Sequence, residues 1–133
     1  MSKFLALDVG EKRIGLALSD DIGILAIPFK AIDRDGSVEV VREIAKSEDV
    51  AMLIIGLPYL ESGELGSQAT DVKNYTKELT QEINLPYEFV SELLTSKEAE
   101  GRIKEQKGRV ENKGEIDTMA ATIILEEYLG SKN

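Results

Sequence analysis

The sequence contains neither histidine nor cysteine. Without cysteine the chain can form neither a disulfide nor a thiolate metal site, and without histidine it has no imidazole base or ligand. Acid–base or metal chemistry must therefore depend on Asp, Glu, Lys or Tyr. The sequence also lacks an apolar run of about 18 residues, the length of a membrane span. Its first residues, MSKFLALDVG, lack a signal-peptide pattern, because their apolar run is short and ends in an acid. These absences predict a cytoplasmic protein with no membrane segment.

Positive charge is in short supply. The chain has 16 Lys and Arg against 25 Asp and Glu, a net charge of −9. Taken alone, this balance argues against nonspecific nucleic-acid binding, because phosphate contacts need cations. Residues 97–114 differ, with six basic and four acidic side chains. This segment is either an ordinary charged helix and loop or a basic surface on an acidic body.

The apolar pattern predicts one α/β domain covering residues 1–133, with no internal repeat and no linker. Alternation and short apolar runs predict strands at 3–9, 13–19, 23–32, 50–57 and 87–90. Helical spacing predicts helices at 37–48, 67–83, 95–107 and 115–129. Pro28 favours an edge position or a bulge for the third strand. The order predicts a mixed five-stranded sheet, with three antiparallel strands followed by parallel ones and helices on both faces.

Three acids lie where the predicted sheet would gather a ligand. Asp8 ends the first strand, Glu92 follows the strand 87–90, and Asp117 lies in the first turn of the last helix. Ligands collect beyond the carboxyl ends of parallel strands, so we expect these acids to converge. Clustered carboxylates repel one another and raise each other's pKa, a penalty that a divalent cation removes. Oxygen ligands alone favour Mg²⁺ or Mn²⁺. A pair of such ions about 4 Å apart suits phosphodiester hydrolysis.

Each acid also has a structural interpretation. Asp8 is a good turn residue, and Glu92 could be a solvated loop acid. Asp117 is favoured by the helix dipole, and Glu115 beside it is an equal candidate. Two further acids near a strand end, Asp20 and Asp21, are interpreted as turn residues.

Four segments together resemble one known family. They read ALDVGEKRIGLALSD, IIGLPYLESGELG, FVSELLTSKEAE and KGEIDTMAATIILEEYL. In this order and spacing, over about residues 3–130, they resemble the motifs of the YqgF family of bacterial RNase H-like nucleases, also called RuvX. The resemblance implies an RNase H-like fold in which Asp8, Glu92 and Asp117 are the catalytic, metal-binding acids for Mg²⁺ or Mn²⁺.

The resemblance also implies a set of phosphate contacts. Lys12 and Arg13 match the Lys-Arg pair that follows the first strand of the family. The family writes Asp-Glu-Arg where this chain has Ser91-Glu92-Leu93, which removes a guanidinium donor to phosphate. The candidates for a replacement are Lys97, Arg109 and Lys113.

Glycines of the matched motifs have predicted physical roles. Gly10 can take a tight turn, Gly15 leaves room for a close approach, and Gly56 lets the backbone approach a ligand.

The resemblance implies a metal-dependent nuclease that matures the 5′ end of the small-subunit ribosomal RNA precursor. Its partners are then structured RNA or, as the second candidate, branched DNA, and the protein is a monomer or weak homodimer. A first alternative is a DNA nuclease that resembles Holliday-junction resolvases, which should dimerise to cut two symmetric strands.

Two other classes of function stay open. LDVGEKRIG also resembles the phosphate motif of actin-like ATPases and sugar kinases, but those folds need two domains and more than twice this length. A non-catalytic module that binds RNA or the ribosome through residues 97–114 is favoured by the acidic charge and by Leu93.

Overall fold

The protein forms one mixed sheet with helices on both faces. The computed structural model describes residues 3–59, 62, 64–92 and 95–132, with residues 95–97 as backbone only. The strands are β1 (Lys3–Val9), β2 (Arg13–Ser19), β3 (Ala26–Asp33), β4 (Val50–Pro58) and β5 (Tyr87–Glu92). The helices are α1 (Ser37–Ser47), α2 (Ser67–Glu82), α3 (Thr95–Lys107) and α4 (Lys113–Lys132). The strand order is β3-β2-β1-β4-β5, antiparallel from β3 to β1 and parallel from β1 to β5. The predicted fold class is confirmed.

At the centres of β1 and β2, the two faces of the sheet differ in side-chain size. Side chains alternate along a strand, so Leu5 and Leu7 of β1 point to the face that α1 and α2 cover. Ala6 of β1 and Ala17 of β2 point to the opposite face, where they pack against α4. Small side chains on this face let α4 lie close to the strands. Helix α3 packs against the outer side of α4 through Ala99 and other apolar residues.

The third strand begins later than the sequence predicts. It starts at Ala26 rather than residue 23 because a turn precedes it. The Asp20 carboxylate accepts hydrogen bonds from the backbone N–H of Ile24 at 2.7 Å and of Leu25 at 3.1 Å. Asp20 is therefore a turn residue, as predicted. Pro28 lies on this edge strand beside a register shift, which confirms its predicted position.

Two other boundaries bear directly on the candidate acids. Strand β5 continues to Glu92, which pairs with Pro58 of β4, so Glu92 ends a strand rather than following one. Helix α4 begins at Lys113 rather than residue 115, which moves Asp117 from the first turn into the second. Within the described residues, no helix is both long and apolar enough to span a membrane.

Candidate active site

Asp8, Glu92 and Asp117 line one cavity of about 660 Å³. Asp8 is the last residue but one of β1, Glu92 is the last residue of β5, and Asp117 comes from α4. The fold thus brings the three predicted acids to one cavity at the carboxyl ends of the parallel strands. The amino end of α2 forms another part of the wall, with Ser67 and Gln68.

Two glycines beside Asp8 allow α4 to reach this position. Gly15 of β2 pairs with Asp8 of β1, and a Cβ on Gly15 would overlap the backbone carbonyl of Asp117. Gly56 follows the β4 residue that pairs with Leu7, and a Cβ there would overlap the side chain of Ile124. The close approach predicted for Gly15 is therefore made by α4. The space at Gly56 is filled by an α4 side chain.

Burial makes two of the acids hard to ionise. Burial, and then the charge of Asp117, raises the pKa of Asp8 to about 7. Burial raises the pKa of Glu92 to about 8, with further contributions from Glu127, Glu98 and Asp8. Glu92 is only 9% exposed, and its Oε1 atom is buried without a hydrogen-bond partner in the described part of the chain. Both carboxyls therefore lie where a positive charge is missing.

Asp117 differs from the other two because it has a cationic partner. Arg13 Nε donates a hydrogen bond of 2.6 Å to Asp117 Oδ2, and both side chains are partly buried. No ion pair joins Asp8 or Glu92 to a cation within residues 3–59, 62, 64–92 and 95–132. In the same residues, no three acids form a set that could hold a metal ion directly. Arg13 neutralises part of the charge of Asp117 and therefore competes with a metal ion for this carboxylate.

The donor set nevertheless fits a hard divalent cation. The cavity offers carboxylate oxygens without imidazole or thiolate, which is the ligand chemistry of Mg²⁺ and Mn²⁺. The unpartnered Oε1 of Glu92 is an orphaned acceptor, and a cation beside it would remove the cost of burying two carboxylates.

The predicted phosphate contacts divide into two groups. Lys12, Arg13 and Lys113 line a second cavity of about 330 Å³, which shares Gly10, Glu11 and Asp117 with the first. Arg109 is elsewhere: its side chain is 80% exposed and lies 4.0 Å from Glu111. The side chain of Lys97 and all of Leu93 lie outside the described residues.

The alternative acids have other partners. Glu115 pairs with Lys107 and accepts the backbone N–H of Glu111 at 2.7 Å, so it faces the loop before α4. Asp21 is 73% exposed and lies 3.9 Å from Lys3. Neither lines the first cavity, which we call the acidic cavity because Asp8, Glu92 and Asp117 line it.

The sequence interpretation missed Arg34 and Asp71, which also line the acidic cavity. Arg34 follows β3 and Asp71 lies in the first turns of α2, and their side chains are joined by two hydrogen bonds of 2.7 and 2.9 Å. Arg34 is the second residue after the predicted strand 23–32, and a basic residue this close to a strand end is the one signal that could have singled it out.

Comparison with known sequences covers nearly the whole chain. Residues 2–131 match the family described as "RuvX: Holliday junction resolvase". A Gloeothece citriformis protein named "Putative pre-16S rRNA nuclease" is 42% identical over 132 residues, which are 96% of this chain and 87% of the relative. A Synechocystis protein of the same name is 39% identical over 129 residues, 94% of this chain and 85% of the relative.

Comparison of folds leads to RuvC. The structure of T. thermophilus RuvC in complex with Holliday junction substrate has a TM-score of 0.61 and 12% identity, covering 99% of this chain and 96% of that chain. A second Thermus thermophilus RuvC structure has a TM-score of 0.58 at 12% identity, covering 98% and 95%. At this identity the likeness concerns the fold, which is RNase H-like. The match over residues 2–131, together with relatives about 40% identical over almost their full length, shows that this chain belongs to the RuvX family.

Proposed function

We propose that this protein is a cytoplasmic, divalent-metal-dependent nuclease that hydrolyses phosphodiester bonds at the acidic cavity. The observation that carries the proposal is that the buried carboxyl of Glu92 and the partly buried carboxyl of Asp8 line one cavity, and that neither forms an ion pair with a cation of the described residues. Burying unpaired carboxylates is costly, so such a pair is expected where a positive ligand binds. The names of the relatives and the description of the family support nucleic acid as the substrate.

Asp8, Glu92 and Asp117 are the residues that would hold Mg²⁺ or Mn²⁺, as two ions. Such ions supply an activated water and stabilise the leaving oxygen of a phosphodiester. The chain itself binds and orients the substrate: Lys12 and Lys113 offer ammonium groups to backbone phosphates beside the acidic cavity. Arg13 donates its Nε–H to Asp117, which leaves its other guanidinium N–H groups to face a phosphate.

We propose structured RNA as the substrate, with the 5′ end of the small-subunit ribosomal RNA precursor as the site of action. The support is the shared name of relatives that are about 40% identical over almost their full length. A junction-resolving DNA nuclease is the second candidate, favoured by the description of the family. Resolution of a junction requires two active sites related by symmetry, whereas RNA maturation is compatible with a monomer or a weak homodimer.

The proposal is tested with two substrates and one isosteric variant. Purified protein is incubated with a 5′-extended precursor RNA fragment and with a four-way DNA junction, in Mg²⁺, in Mn²⁺ and in EDTA. Asp8→Asn removes one carboxylate, and Asp21→Asn removes an exposed acid as the matched control. We expect RNA cleavage that needs metal, is lost in Asp8→Asn and is unchanged in Asp21→Asn. Cleavage of the junction alone selects the second candidate.

Binding of RNA with no cleavage in any metal would refute the nuclease and leave the non-catalytic binding module. Cleavage that persists in Asp8→Asn would show that the chemistry takes place elsewhere on the protein.

A further inference from the structure

Arg34 differs in charge from the acidic residues that line the same cavity. Five acidic side chains line the cavity: Asp8, Glu11, Asp71, Glu92 and Asp117. Within the described part of the chain, Arg34 is the one cationic side chain that lines it. The phosphates of a nucleic-acid strand that crosses this cavity therefore meet one fixed positive group among many negative ones.

The guanidinium of Arg34 is held on three sides. Its Nη1 donates to Asp71 Oδ2 at 2.7 Å and to the Gly10 carbonyl at 3.0 Å, and its Nη2 donates to Asp71 Oδ1 at 2.9 Å. The group lies over the ring of Tyr75, 5.1 Å from its centroid. The backbone N–H of Arg34 also donates to the Lys12 carbonyl at 2.8 Å. The side chain is thus fixed before any ligand arrives.

The hydrogen bonds leave part of the guanidinium free. A guanidinium has five N–H groups, and three of them serve Asp71 and Gly10. The other two have no hydrogen-bond partner within the described residues. Arg is the side chain that best matches the planar, two-oxygen face of a phosphate. The same wall carries the amino end of α2, whose N-cap Gly66 provides no side-chain cap, and such a helix end adds a favourable potential for anions.

We propose that Arg34 binds a backbone phosphate of the nucleic acid within the acidic cavity, and that Asp71 competes with this phosphate for the guanidinium. The inference rests on the proposed nuclease function and names a contact of the same site. Asp71 fixes the guanidinium and neutralises it when no nucleic acid is bound. On binding, the phosphate uses the free N–H groups and draws the guanidinium from Asp71, whose side chain is 44% exposed and can turn to water.

The proposal predicts opposite effects for the two partners of one ion pair. Arg34→Gln removes the phosphate contact and weakens nucleic-acid binding, because a charged donor is lost. Asp71→Asn keeps the guanidinium, removes its competitor and strengthens binding. If the pair served only to join α2 to the turn at Gly10, both substitutions would break the same contact and weaken binding together.

The experiment measures binding by fluorescence anisotropy with a labelled 5′-extended precursor RNA fragment and a labelled four-way DNA junction in Mg²⁺. All variants are made in the Asp8→Asn background so that the probe stays intact. Arg42→Gln is the matched control, because Arg42 is an exposed arginine with acidic neighbours, Glu39 and Glu82, away from the cavity. Thermal unfolding of each variant reports the structural cost separately.

We expect Arg34→Gln to bind about tenfold more weakly. The slope of log K against log salt should also be smaller in magnitude by about 0.7 to 0.9, the value for one phosphate contact. Asp71→Asn should bind several-fold more tightly, and Arg42→Gln should match the parent. An unchanged slope in Arg34→Gln, or weaker binding in Asp71→Asn, would overturn the inference.

Two results separate this inference from the function on which it rests. If Arg34→Gln does not fold, the sign of the Asp71→Asn effect decides the question alone. If neither the wild-type protein nor the Asp8→Asn parent binds nucleic acid, and the wild-type protein does not cleave it, the proposed nuclease and this contact are overturned together. Normal metal-dependent cleavage, with equal weakening in both variants, would overturn the contact only.

Discussion

Gly15→Ala tests whether the approach of α4 to the sheet positions the candidate site. The added methyl group would overlap the carbonyl group of Asp117 and come within 3.0 Å of the Thr118 nitrogen. These are backbone atoms, so rotation of a side chain cannot relieve the overlap. The helix must retreat by roughly 1.4 Å or more to restore an ordinary contact distance.

The cost can be estimated from similar overpacked positions. Overpacking typically costs about 1–3 kcal/mol, and a backbone overlap belongs at the upper end, about 3 kcal/mol. For a chain of this size that is a fall in melting temperature of about 10 °C. A misplacement of about 1 Å at a reactive group costs about 100-fold in rate. Gly15→Ala should therefore lose both stability and metal-dependent cleavage.

Two other glycines provide a graded series. Gly56→Ala overlaps the end of the Ile124 side chain, which can rotate, so we expect a loss of about 1 kcal/mol. Gly101 lies within α3 with nothing near its added methyl group, so Gly101→Ala should stabilise the protein by about 0.5–1 kcal/mol. Urea unfolding and cleavage rates measure the series. Equal unfolding midpoints and equal rates for Gly15→Ala and Gly101→Ala would refute the argument.

Three further predictions concern the acids of the candidate site. Arg13→Gln frees Asp117 from its 2.6 Å ion pair, so Mn²⁺ should bind this variant several-fold more tightly than the wild type in the absence of nucleic acid. Calorimetry measures the affinities, and Lys12→Gln is the control. Equal affinities for Arg13→Gln and the wild type would show that Arg13 does not compete with the ion. The pKa of Asp8 is about 7 and that of Glu92 is about 8, whereas both are near 4 in an unfolded chain. Between about pH 4 and pH 8, the metal-free folded state therefore binds more protons than the unfolded chain. Its melting temperature should therefore fall as pH rises from about 5 to about 8, and Asp8→Asn should flatten the fall; a wild-type melting temperature that rises over this range would contradict the raised pKa values. Mn²⁺ should also bind more weakly at pH 6 than at pH 8, because its ligands must be deprotonated.

Local patterns in the sequence predicted most of the fold and the three acids. The alternation of large and small apolar residues around Asp8 defines β1, and helical spacing defines α2. Boundaries failed where a partner distant in sequence decides them: Glu92 is in β5 because Pro58 pairs with it. The start of β3 was placed too early because the Asp20 side chain bonds to the backbone of a turn.

The contacts within the site could not be predicted for the same reason. Arg13 and Asp117 are 104 residues apart, and Arg34 and Asp71 are 37 apart. No periodicity in a single sequence connects residues at such separations. The resemblance to the family implies that Arg13 contacts a phosphate, but only the packing of α4 reveals the carboxylate that Arg13 faces.

The position of α4 has a consequence for protein synthesis. A chain is made from its amino end, so all five strands emerge before the helix that covers one face of their sheet. Until α4 docks, the apolar side chains of that face, among them Ala6, Ala17 and Ile54, remain open to water. The nascent chain also holds Asp8 and Glu92 without Asp117 until then. A chain interrupted before residue 113 would therefore expose the apolar face of its strands to other chains, and it would lack Asp117. The complete set of three acids exists only in a chain whose α4 has packed against the sheet.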